Sequence, residues 1–287
     1  MSGTIKAANS DLDLSGKRCV VVGGTQGIGL AIARRLSAAG GNVVIVGRKA
    51  PSDVPPTWSF VHADLSLVTG ALGLVNDLTA VGPIDYLFQT QGGFMATEPV
   101  MTTEGHEGRF MVQVASKFAL TRGLADARAL HGPTVIVCAP GGHSKTFDVD
   151  DIQLEKLFDK GKASIVAVAE RDSVVLDAFV QEFNTRYPKH PVYHVWPGLV
   201  DTNCLSNSTL GQPLRFFMQL FNPIGMFLMG SKPDVFAEMP VWLATKGGEA
   251  GAPKVINNKL KPMKPTPATN DPAMRQRIWD DVFKLYK

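Results

Sequence analysis

The stretch VVVGGTQGIGLA, residues 20–31, constrains the fold more than any other part of the chain. Three β-branched residues run into a loop carrying Gly23, Gly27 and Gly29, and a helix-forming run follows. Glycine here permits a tight turn, close approach of backbone to a pyrophosphate, and close packing of helix on strand. The helix start then offers unpaired N–H groups and the positive end of its dipole to an anion. A glycine loop alone is weak evidence, because a plain structural turn has the same composition. In this chain a strand precedes it, a helix (27–41) follows, and a second strand, NVVIVGR (42–48), comes about twenty residues on.

Further apolar runs repeat the pattern. WSFVHADL (58–65), IDYLFQT (84–90), PTVIVCA (133–139), VYHVWPG (192–198) and PKVINN (253–258) read as strands separated by helix-length segments. The runs are continuous rather than alternating, which implies strands covered on both faces. Parallel strands joined by right-handed helical crossovers follow. The predicted fold is therefore α/β, a doubly wound parallel sheet of Rossmann type, with residues 1–287 forming a single domain. The segment KPMKPTPATNDP (261–272) reads as an irregular surface arm before a last helix around residues 274–286.

Bulk properties exclude several classes. Of the 287 residues, 45% are apolar and 19% charged, enough to bury a sizeable core. The net charge of +3 and the absence of basic runs argue against a nucleic-acid partner. The cysteines, Cys19, Cys138 and Cys204, are odd in number and far apart, which points to a reducing compartment and a cytoplasmic protein without a metal site. The N-terminus lacks the apolar core of a secretory signal. Residues 209–230 are greasy but interrupted by Arg215 and two prolines, so no membrane span is expected.

The second strand ends in Gly47, Arg48 and Lys49. An acidic residue there would bind the ribose 2′-hydroxyl of NAD, whereas an adjacent cationic pair favours the 2′-phosphate of NADP. The alternative is a solvated pair of loop cations.

Taken as a set, these features resemble the short-chain dehydrogenase/reductase superfamily from about residue 14 to 260. GGTQGIG matches its Gly-x-x-x-Gly-x-Gly loop, which implies that Gly23, Thr25, Gln26, Gly27, Ile28 and Gly29 surround the cofactor phosphates. Asp64 and Leu65 stand where the family contacts adenine. QTQG places Thr90, Gln91 and Gly92 in the Asn-Asn-Ala-Gly segment, with only the glycine kept. WPGLVDT matches the Pro-Gly-x-x-x-Thr segment, which implies that Pro197, Gly198, Val200 and Thr202 hold the carboxamide side of the cofactor.

The catalytic Asn-Ser-Tyr-Lys set of that family is missing. The tyrosine acts as acid or base, and the lysine four residues on lowers its pKa and binds ribose. This chain has four tyrosines and no Tyr-x-x-x-Lys anywhere. Family spacing back from Trp196-Pro197-Gly198 puts the tyrosine position on Ala167 and the lysine position on Arg171. The serine position falls on Ala139 or Pro140, and the asparagine position on Gln113. Arg171 is expected to face the nicotinamide ribose, where a guanidinium offers charge but no proton near neutral pH. Losing the acid is worth roughly 10²–10⁴ in rate.

Three functions remain open. One is an NADPH-dependent reductase of a substrate that needs no strong acid, such as an imine or iminium ion. Another is a redox-neutral cyclase or isomerase on the same fold. The third is a catalytically dead NADP-binding sensor or partner protein. The resemblance accommodates the first two, because members lacking the tetrad occur in fungal secondary metabolism, including imine reductases that guide an intramolecular (4+2) cycloaddition. A substrate lid is expected around 203–231, where Phe216, Phe217, Phe221, Phe227 and Met218, Met226, Met229 suit a small apolar or polycyclic substrate. Helix packing or a homo-oligomer contact is the alternative for that stretch. Within the insert 141–162, His143 is the candidate replacement acid, and the neighbouring Asp148, Asp150 and Asp151 read as a solvated loop and helix cap.

Overall fold

The computed structural model describes residues 2–92, 98–161, 164–201, 230–249 and 251–287. Its elements run α1 (Ser2–Ala8), β1 (Arg18–Val22), α2 (Gly27–Ala38), β2 (Asn42–Gly47), β3 (Ser59–His62), α3 (Val68–Val81), β4 (Tyr86–Gln89), α4 (Gly108–Phe110), a π-helical turn (Met111–Ala115), α5 (Ser116–Asp126), β5 (Thr134–Val137), α6 (Glu155–Asp159), α7 (Ile165–Arg186), β6 (Val192–Trp196), α8 (Pro233–Lys246), β7 (Val255–Asn257) and α9 (Pro272–Lys284). The seven strands form one parallel sheet in the order β3-β2-β1-β4-β5-β6-β7. This is the doubly wound arrangement expected from the sequence.

Period-two alternation sends side chains to two cores. Val20, Val22, Leu87 and Ile136 pack with Val114, Phe118 and Phe179 on one face. Cys19, Val21, Phe88, Val135 and Tyr193 pack with Ile32, Leu36 and Leu243 on the other. Because both faces are covered, the strands carry no polar stripe. Each fully buried Val, Leu or Phe contributes about 1.5–3 kcal/mol. The chain winds outward from β1 to β3 and then returns to β4, so the strand order reverses between β1 and β4. Ligands of such sheets bind outside the carboxyl ends of the strands at that reversal.

The segment 261–272 departs from expectation. It is not a free surface arm, because Thr266, Ala268 and Thr269 are buried. The Thr266 N–H and hydroxyl both donate to Asp177 on α7, at 2.8 and 2.7 Å, and the Ala268 N–H donates to Ser144 O. A buried carboxylate needs donors, and this stretch supplies two of them.

Candidate functional site

The glycine loop is pressed against the exit of β4. Gly23 has a φ of +76°, and a Cβ there would lie 2.7 Å from Gln91 N. A Cβ on Gly29 would lie 2.3 Å from Gly23 O and 2.5 Å from Thr90 Oγ1. Thr90 fixes the approach, donating from both N–H and hydroxyl to Val22 O at 2.9 Å. No side chain caps α2: Gln26 is extended and makes no capping bond, and the first turn holds no acid. Its leading N–H groups therefore face outward beside a backbone surface stripped of side chains, a fit for phosphate. Thr25 packs under Gly47, where a Cβ would meet Thr25 Cγ2 at 2.6 Å. Ile28 packs against the core below.

The rim beyond the loop is cationic. Arg48 and Lys49 are exposed at the end of β2. Beside them, the Ala63 N–H donates to Gly47 O at 3.1 Å and so sets Asp64 and buried Leu65 next to the pair. Asp64 Oδ1 accepts from the N–H and hydroxyl of Ser66 at 3.0 and 2.7 Å. Partial burial pulls the Asp64 pKa upward, but those bonds and the charge of Arg48 outweigh it and hold the carboxyl below its ordinary value. At the far side, Gly198 follows β6 with a φ of +69° and packs on Asn258, while Pro197 is half-buried. Val200 bridges Ser231. Thr202 and the lid positions 203–229 lie outside the described residues.

The positions aligned with the family's acid carry no acid. Ala167 lines an open pocket of about 470 Å³ between α7 and the 144–160 insert, with Phe147, Leu154, Leu157 and Glu170. Arg171 does not face a cofactor groove as the sequence suggested. Its side chain is wholly buried, with Nε donating to Asp172 Oδ1 at 2.6 Å, Nη1 to Ile152 O at 3.4 Å and Nη2 to Glu107 Oε2 at 3.4 Å. Its guanidinium also lies 4.8 Å from the centroid of the Phe110 ring. A buried guanidinium must spend its donors on partners, and these acceptors take the fork away from any ribose. His143 is exposed, and its backbone N–H donates to Glu170. The nearby acids are structural: Asp148 pairs with Lys156 at 2.8 Å and accepts from the Asp150 N–H, and Asp150 pairs with Arg277.

Gln113 stands at the carboxyl end of the sheet, against Cys138 and Gly92. It sits in the π-helical turn, a distortion often found where a helix serves a functional site. Its Nε2 donates to Cys138 Sγ at 3.1 Å, and its Oε1 lies over Gly92, where a Cβ would be only 1.6 Å away. One amide side chain thus joins the carboxyl ends of β4 and β5.

No family model matches the chain. An uncharacterized oxidoreductase of Saccharomyces cerevisiae is 28% identical over 211 residues, covering 70% of this chain and 66% of that protein. The dehydrogenase/reductase SDR family member 12 of Bos taurus is 27% identical over 67% of this chain and 63% of its own length. The chain thus spans somewhat under two thirds of these relatives. Among solved structures, a short-chain dehydrogenase/reductase of the glucose/ribitol dehydrogenase type from Brucella melitensis superposes with a TM-score of 0.62 at 17% identity, covering 88% of this chain and 99% of that one. The chain shares the fold of short-chain dehydrogenases/reductases and is similar in sequence to oxidoreductases.

Within this superfamily fold, three buried polar groups were not singled out from sequence. Lys117 is wholly buried on α5, with Nζ donating to Gln91 O at 2.5 Å and Gln113 O at 2.7 Å. Burial depresses its pKa, opposed by the charge of Asp172. It follows Gln113 by four residues, the spacing that puts two side chains on one helix face, and that signal was available. Asp177 on α7 and His194 on β6 form the second and third. His194 Nδ1 lies 3.0 Å from Asp177 Oδ1, and both side chains are fully buried. Their positions lie within apolar runs and so read as core. Among the described residues no cluster of three His, Cys, Asp or Glu could hold a metal, and no helix is long and apolar enough to cross a membrane.

Proposed function

We propose that the chain is an NADP-dependent reductase that acts on a bulky apolar imine or iminium substrate without the tyrosine acid of its superfamily. The observation that carries this reading is the cradle at Gly23 and Gly29, which leaves room for no Cβ against Gln91 and Thr90. The uncapped start of α2 and residues Gly23 to Gly29 would hold the pyrophosphate. Arg48 and Lys49 would take the 2′-phosphate, Asp64 and Leu65 the adenine, and Thr90, Gln91, Gly92, Pro197, Gly198, Val200 and Thr202 the nicotinamide side. The bound dinucleotide would supply hydride.

The chain's own part is orientation and charge. Ala167 offers no proton, and Arg171 is committed to Glu107, Asp172 and Ile152. An iminium ion, already cationic, asks only for positioning, which can contribute about 7–11 kcal/mol to lowering a barrier. The pocket beside Ala167 sets Phe147, Leu154 and Leu157 among charged residues, Asp148, Lys156, Lys160, Glu170 and Arg171, and so offers an apolar body a surface with a charged rim. Calorimetric titration tests the cofactor assignment: NADPH is expected to bind more tightly than NADH, and absence of binding by either would remove the reading. Conversion of an apolar polyene with no consumption of NADPH would move the assignment to the redox-neutral cyclase.

A further inference from the structure

Cys138 lies one residue past the end of β5 and is almost wholly buried. It stands on the same end of the sheet as the Gly92 exit of β4, and Gln113 spans the two. Ile136 pairs with His194 across β5 and β6, so Cys138, two residues beyond Ile136, and His194 leave the same face of the sheet. This histidine is fully buried, and its Nε2 has no hydrogen-bond partner of good geometry, although Nδ1 is held by Asp177. The Cys138 N–H donates to Val195 O at 3.0 Å, which keeps the thiol beside the strand that carries the imidazole. Asp177 is itself fixed by the Gly141 N–H at 2.9 Å and by both donors of Thr266. From α5, Lys117 Nζ donates to the backbone oxygens of Gln91 and Gln113, and the Gln113 side chain in turn donates to the Cys138 sulfur. The neighbouring Lys254 supplies only its carbonyl, which accepts the His194 N–H, while its ammonium lies 4.3 Å from the centroid of the Tyr193 ring.

We propose that the Cys138 thiol is the proton donor of this site and that His194, oriented by Asp177, re-protonates it. This rests on the reductase reading above and narrows its substrate to a neutral imine. As hydride from a reduced nicotinamide forms the new C–H bond, the C=N π pair moves onto nitrogen. Nitrogen takes the proton from Cys138 Sγ, and the thiolate takes the proton of His194 Nε2. The imidazole is left neutral with its Nδ1–H on Asp177 and recovers a proton from solvent. Burial would lower the His194 pKa, but Asp177 and then Cys138 outweigh it and raise it to about 8, so the imidazole carries a proton to give at neutral pH. A basic imine nitrogen asks less of such a donor than a ketone oxygen does.

Two measurements test the assignment. The first needs no cofactor: iodoacetamide alkylation of Cys138, read by peptide mass spectrometry between about pH 6 and 9, in wild type, His194→Asn and His194→Gln. Wild type should show an inflection set by His194. Both variants should lose it and react about 10-fold more slowly at neutral pH. A wild type that is not alkylated at Cys138, or profiles that coincide, would overturn the proposal. Two histidine replacements are used so that one misfolded variant does not decide the matter.

The second compares NADPH-dependent reduction of 2-methyl-1-pyrroline, a neutral imine, with its N-methyl iminium salt, in wild type, Cys138→Ala and Cys138→Ser. Removing the thiol should cost at least ~100-fold more on the neutral imine than on the iminium, with serine restoring part of the difference. Equal losses on both probes would show a merely structural cysteine. Should wild type bind NADPH and reduce neither probe, the reductase reading fails and the donor role with it. The alkylation profile would then report on the thiol cluster separately.

Discussion

His194 and Asp177 form a buried pair, Nδ1 to Oδ1 at 3.0 Å, in the core between the sheet and α7. Burial opposes the charged form of each, and each group's bonds to its partner prevail, raising His194 to about 8 and holding Asp177 below its ordinary value. The imidazole's folded value lies above its ordinary 6.5. Its contribution to stability is therefore fully present below about pH 6.5 and is lost as pH rises through about 8. At about 1.4 kcal/mol per unit, the loss is roughly 2 kcal/mol. Asp177 adds stability above the ordinary carboxylate range that is lost as pH falls through its lowered value. Urea unfolding of wild type between pH 6 and 9 should show this decline, and His194→Asn should be less stable and lack it. Parallel pH curves for the two proteins would refute the pairing.

Gly29→Ala tests the cradle. Its Cβ would lie 2.3 Å from Gly23 O and 2.5 Å from Thr90 Oγ1, so the loop must move away from β4. Overpacking of this kind costs roughly 1–3 kcal/mol. Calorimetry should show dinucleotide affinity reduced by at least ~10-fold, a change of about 1.4 kcal/mol. Unchanged affinity would place the cofactor elsewhere.

Arg48→Ala addresses cofactor choice. Arg48 is exposed at the end of β2 and reaches the field of Asp64. The variant should weaken NADPH by about 10-fold while leaving NADH nearly unchanged, since only the former carries a 2′-phosphate. Equal losses on both cofactors would show that Arg48 holds the loop rather than the phosphate.

Arg171→Lys should be destabilising, not restorative. Lysine places one compact charge where a planar fork now serves Asp172, Glu107 and Ile152. Breaking a buried pair costs roughly 3–5 kcal/mol, and a retained charge recovers part of that. Denaturant midpoints should drop for Arg171→Lys, and Ala167→Tyr with Arg171→Lys should gain no ketone reductase activity. A stable double variant that reduces ketones would return Arg171 to the ribose side.

The sheet was legible because its strands are continuous apolar runs between helix-length segments, and the glycine loop was legible because backbone sterics alone demand glycine at Gly23 and Gly29. Arg171 was misplaced because family spacing fixes a position on a helix but not where a long side chain ends. Three acceptors that were distant in sequence or unremarked captured it. Cys138, His194 and Asp177 were passed over because each sits singly in an apolar run. Only strand adjacency between β5 and β6, with α7 packed above, brings them together. The arm around Thr266 reads as polar and proline-rich, yet it is buried because Asp177 needs its donors.

The central claim is a reductase that works without the tyrosine acid, and the most direct measurement is NADPH consumption by the wild-type protein with a preformed cyclic iminium ion beside a simple ketone of similar size. The account predicts that the iminium is reduced at least ~100-fold faster than the ketone, the order of an absent strong acid. Brisk reduction of the ketone, or no consumption of NADPH with either compound, would contradict it.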